Sequence, residues 1–72
     1  MSTGHALRAL ILITCDGRKG EWVSLGALAE RLGVSPHHVQ AAATELTEAN
    51  QVQHAVAGGT PYWGVGVEGV QP

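Results

Sequence analysis

The sequence predicts a single α+β domain: three helices, a short strand after the first, and a C-terminal β-hairpin. Three observations carry this prediction. A chain of 72 residues suits one domain, spanning 1–72 with an ordered core from about 5 to 67. The stretch "LGVSPHHV", residues 32–39, sets a helix stop directly before a helix start. Gly58-Gly59-Thr60 separates two β-prone runs, Gln51 to Ala57 and Pro61 to Val67.

The first helix is predicted from His5 to about Thr14. Leu7, Leu10, Ile11 and Thr14 recur at i, i+3, i+4 and i+7, the spacing of one buried face. Ala6, Ala9, Leu12 and Ile13 are also apolar, so only His5 and Arg8 supply a polar back. Ile11 and Ile13 are β-branched and leave a strand reading open, but the run is too long for a typical strand. "DGRKGE", residues 16–21, brackets two charges between Gly17 and Gly20 and marks a turn. "EWVS", residues 21–24, suits one short strand. The first four residues and the final "EGVQP" are expected to fray.

Ser24 can cap the second helix by accepting from a free backbone N–H. Leu25, Leu28, Ala29 and Leu32 give that helix its apolar face. Gly26 weakens it by up to ~1 kcal/mol relative to Ala. Gly33 suits the left-handed conformation that ends a helix. Ser35 can cap the third helix, and Pro36 fits its first position, where no N–H is needed. Val39, Ala42, Ala43 and Leu46 face inward on this helix, which spans about 36–49, and Asn50 can end it. In the hairpin, Val52, His54 and Val56 share one face; Trp63, Val65 and Val67 share a face of the returning strand, with Tyr62 pointing opposite.

Composition excludes several classes of function. Cys15 is the only cysteine, so no internal disulfide forms, and its apolar surroundings predict buried packing. There is no Cys/His cluster with zinc spacing, and neighbours His37 and His38 diverge by about 100° on a helix, so no metal or other cofactor is expected. Arg8 interrupts "ALRALILITC", which is far shorter than the roughly 20 residues that span a bilayer, and no cleavage site follows it. No membrane association and a cytoplasmic location are expected. The glycine-rich hairpin lacks the strand-to-helix context of a phosphate loop, and Cys15 has no orienting partner, so no enzyme is expected.

Charge is unevenly spread. Residues 1–31 hold all four basic side chains, Arg8, Arg18, Lys19 and Arg31, against three acidic ones. Residues 32–72 hold Glu45, Glu48 and Glu68 and no Lys or Arg.

The stretch "SLGALAERLGVSPHHVQAAATELTEANQV", followed by the Gly-Gly hairpin, resembles the winged helix-turn-helix family. "LAERLGVS" looks like the middle of many small prokaryotic, phage or plasmid transcription regulators. The resemblance covers about residues 5–67. It implies a third helix that enters the major groove of double-stranded DNA and presents Pro36, His37, His38, Gln40, Ala41 and Thr44 to base edges. It also implies a wing whose tip, Ala57, Gly58, Gly59, Thr60 and Pro61, brushes phosphate or the minor groove. The family usually carries Arg or Lys at several of these places, and this chain carries none.

Within that frame, Gln40 can bond adenine on two sites, and Thr44 can meet a thymine methyl or a phosphate. His37 and His38 would hold phosphate better once protonated, so affinity is expected to rise between pH 7.5 and 6. Ser24 and Ser35 stand at helix starts, where free N–H groups hold phosphate without side-chain charge. Arg18, Lys19 and Arg31 can add contacts, Arg31 being the best placed in sequence. The plainer reading of all these residues is a solvated surface. Weak binding per monomer follows, and a homodimer would double the contacts. The surplus apolar side of the first helix, Ala9, Leu12 and Ile13, is the expected dimer interface. The expected function is that of a sequence-reading, dimeric transcription regulator. The alternative is a winged-helix protein–protein interaction module that does not bind DNA, using the neutral outer face of the third helix or the apolar back of the first.

Overall fold

The computed structural model describes residues 3–68. In chain order it contains α1 (Thr3–Gly17), β1 (Val23–Ser24), α2 (Leu25–Leu32), α3 (Pro36–Glu48), β2 (Gln53–Ala57) and β3 (Thr60–Gly64). The strands form one antiparallel sheet in the order β1-β3-β2. This is a winged-helix arrangement, as the sequence predicts.

Helix α1 is longer than expected. It begins at Thr3 rather than His5 and runs through Gly17 rather than stopping near Thr14. The added turn places Cys15 inside, where it is fully buried. Burial pushes its thiol above the ordinary value, so it stays protonated at neutral pH. The inward stripe is therefore Leu7, Ile11 and Cys15. Leu10 is 47% exposed, contrary to expectation, and Thr14 is half-buried with its hydroxyl donating to the Leu10 carbonyl at 2.8 Å. The physical reason is that α1 is apolar on nearly every side, so its own pattern offers little contrast between faces. The expected fraying at the ends falls mostly on residues 1–2 and 69–72, outside the described residues, but residues 3 and 4 are helical.

The turn between the second and third helices forms as read except at Ser35, whose side chain makes no cap because its carbonyl takes the N–H groups of His38 and Val39. Gly33 adopts φ 64° and closes α2, its N–H donating to the Glu30 carbonyl, and Pro36 opens α3. Asn50 takes φ 60° just after α3, the left-handed stop expected of it. The core gathers Leu28 and Ala29 from α2, Val39, Ala42, Ala43 and Leu46 from α3, the α1 stripe, Val23, Val52 and Trp63.

The hairpin turns on two residues. Gly58 and Gly59 have φ 58° and 80°, the double left-handed geometry that matches strand twist, and Thr60 already pairs with Ala57 in β3. Both strands are shorter than expected, because Gln51 and Val52 precede β2 and the chain leaves β3 after Gly64. Pro61 is tolerated in the middle strand for a topological reason. Its pair, Val56–Pro61, lies one step beyond the turn-closing pair, where antiparallel partners exchange no hydrogen bond. Its nitrogen faces the side where two-residue β1 pairs only with Tyr62 and Trp63, so no ladder bond is lost.

Trp63 anchors the sheet to α3. It is 1% exposed, and its Nε1 donates to the Thr47 hydroxyl at 3.1 Å, which in turn donates to the Ala43 carbonyl at 2.9 Å. His54, paired with Trp63 across the strands, stacks on it with ring centroids 5.1 Å apart. The Gln53 side-chain amide holds both backbone groups of Val67, at 2.6 and 3.1 Å, and ties down the chain beyond β3. The wing root is thus fixed by side chains, and the tip extends past it.

Candidate nucleic-acid interface

With a step of about 100° per residue, burying Val39, Ala42, Ala43 and Leu46 turns His37, Gln40, Ala41, Thr44 and Glu48 to the opposite side of α3. All five are exposed. His38 lies on the flank of this stripe and is also exposed; its ring meets that of His37 edge-on at 5.9 Å. Pro36 and Ser35 stand exposed at the start of the helix. The fold therefore brings Ser35, Pro36, His37, Gln40, Ala41 and Thr44 onto one surface.

These side chains differ in how far the fold has used them. The Thr44 hydroxyl donates to the Gln40 carbonyl at 2.8 Å, so its proton is already used, while the residue stays exposed. The Gln40 amide makes no hydrogen bond within the described residues. Ser35 makes no side-chain cap; its carbonyl instead accepts from the N–H groups of His38 and Val39 at 3.0 and 3.1 Å. Ser24 is committed: its hydroxyl accepts from the Ala27 N–H at 3.1 Å and caps α2. At the wing, Val56, Ala57, Gly58 and Gly59 are exposed, and Thr60 and Pro61 are half-buried.

The basic residues sit elsewhere. Arg8 reaches from α1 to Glu45 on α3 and pairs with it at 3.1 Å. Arg31 and Arg18 line one open depression between α1 and α2, together with Thr14, Ala27 and Glu30. Neither of them, nor Lys19, forms an ion pair among the described residues. The outer side of α3 carries two carboxylates, Glu48 at its far end and Glu45, which Arg8 pairs, and no cation.

Of the expected dimer residues, Ala9 and Ile13 are exposed, while Leu12 is half-buried against the core. It borders a groove between α1 and the end of α3 that Arg8 and Glu45 also line. Sequence reasoning missed two exposed apolar residues, Leu10 and Val56. Val56 lies one pair from the turn-closing pair, on the part of the hairpin that extends past the core.

Among the described residues no group of His, Cys, Asp and Glu is arranged to hold a metal ion, and no helix is long and apolar enough to cross a membrane.

Fold and surface together define a winged-helix arrangement whose third helix presents an exposed polar face without Lys or Arg. No family model, curated protein or solved structure matches the chain.

Proposed function

We propose that this chain is a DNA-binding domain that lays the outer stripe of α3 in the major groove and acts as a transcription regulator. The observation that carries this reading is the stripe itself. His37, Gln40 and Thr44 stand exposed on the side of α3 opposite the core, and the fold leaves the Gln40 amide uncommitted. A bidentate amide suits adenine, and the methyl of exposed Thr44 suits thymine. The Ser35 hydroxyl and the His37 N–H, neither of them bonded within the fold, offer hydrogen-bond donors to phosphate without a cation.

Affinity on this reading is modest, because few Lys or Arg side chains are available to release counterions. The test is an amide chemical-shift titration with mixed-sequence duplex DNA at low salt and pH 6.5. Shifts are expected on residues 35–45 and on the 57–61 wing tip, fading as salt is added. No movement at millimolar duplex would end the DNA reading.

A second reading has its own observation. Residues 32–68 carry no Lys or Arg, and Val56 is 64% exposed on the wing, a surface that suits a protein partner. Binding there would persist as salt rises, where DNA binding would not.

A further inference from the structure

We propose that the outer stripe of α1 is the contact between two copies of this chain, packed antiparallel about a two-fold axis. The stripe is Ala6, Ala9, Leu10 and Ile13, at i, i+3, i+4 and i+7, and all four are exposed, Ile13 to 68%. It lies opposite Leu7, Ile11 and Cys15, which face the core. No charged residue occurs between Arg8 and Asp16, and Arg8 is drawn aside onto Glu45. The exposed side of α1 is therefore apolar over about two turns.

The order of side-chain sizes identifies the occupant. Along the stripe it runs small, small, large, large: Ala6, Ala9, Leu10, Ile13. Against an antiparallel copy centred between residues 9 and 10, Ala6 meets the partner's Ile13 and Ala9 meets the partner's Leu10. Each large side chain enters the space left by a small one, which is how helices interdigitate closely. The same surface serves both copies, as a two-fold contact requires. A parallel copy would set Leu10 against Leu10 and leave gaps at the alanines.

Charge agrees with this direction. The first turn of α1 carries no acidic residue, although a negative charge is favourable there. In the antiparallel pair the partner's Asp16 comes beside that turn, and Asp16 is exposed. A single helix pair covers less than the roughly 800 Å² per partner of a standard interface, so the dimer is weak and concentration-dependent.

Sedimentation equilibrium without DNA, from about 10 μM to about 1 mM, tests the proposal independently of DNA binding. A monomer–dimer equilibrium is expected. Ile13→Lys should raise its dissociation constant roughly tenfold or more. Ala9→Leu adds apolar surface yet should weaken the dimer, because the partner's Leu10 occupies that space. Combining Ala9→Leu with Leu10→Ala restores a large-against-small match and should restore association. These positions are exposed, and circular dichroism checks that each variant keeps the fold. A chain monomeric at every concentration overturns the proposal and leaves the stripe to a protein of another sequence. Stronger association by Ala9→Leu alone overturns the antiparallel register.

Discussion

Helices α2 and α3 both begin at a serine, and the two hydroxyls are used differently. Ser24 accepts the Ala27 N–H and closes the start of α2, while Ser35 makes no side-chain bond at the start of α3. The far ends differ as well. Gly33 turns left-handed and its N–H satisfies carbonyls of α2, whereas α3 closes through Ala49, whose N–H reaches the Glu45 carbonyl at 3.0 Å, with left-handed Asn50 following. Helix α2 is thus capped by side chain and glycine and packs Leu28 and Ala29 into the core. Helix α3 buries four residues on one side and leaves its first turn and outer stripe to solvent. The contrast separates framework from surface. Groups that the fold consumes hold the domain together, and groups that it leaves over are the ones a ligand can take.

The largest test of this contrast removes a framework residue. Leu28 is fully buried, so Leu28→Ala loses both its transfer free energy and the packing around the cavity. A destabilisation of about 3 kcal/mol is expected in urea denaturation. A domain of 72 residues has little stability to spare, so partial unfolding in water at room temperature is the expected appearance. A loss below about 1 kcal/mol would mean that α2 is not the framework helix.

Next in size is the cap. Ser24→Ala removes the acceptor for the Ala27 N–H and should cost about 1 kcal/mol, lowering the melting temperature by roughly 4–8 °C. Ser24→Asp should retain most of the cap, since a carboxylate accepts the same bond. Failure of that rescue would show that the loss comes from β1, which ends at Ser24, and not from the helix start.

What could be read from the sequence follows the same division. Gly33, Pro36, Asn50 and the Gly58-Gly59 turn act on their immediate neighbours, so their roles were legible from spacing alone. So was the inward face of α3, where Val39, Ala42, Ala43 and Leu46 recur at i, i+3, i+4 and i+7. The orientation of α1 was not legible, because Leu10 and Ile11 are equally apolar and only packing decides that Ile11 goes inside. Contacts between distant residues were equally hidden. Arg8 pairs with Glu45 37 positions away, and Trp63 bonds Thr47 16 positions away. Of the candidate interface, the α3 stripe was visible in the sequence, but the shared depression of Arg18 and Arg31 depends on how α1 crosses α2.

The smallest expected effect on stability is the most informative about function. Ser35→Ala removes a hydroxyl that bonds nothing in the fold, so stability should change by less than about 0.5 kcal/mol, in contrast to Ser24→Ala. Two identical substitutions at two helix starts would then differ only because one hydroxyl is used and the other is not. If Ser35→Ala instead costs as much as Ser24→Ala, Ser35 caps α3 in solution, and its hydroxyl is not left over for phosphate. If stability holds while the DNA-induced shifts at residues 35–38 shrink, the group that the fold leaves over is the group that the ligand takes.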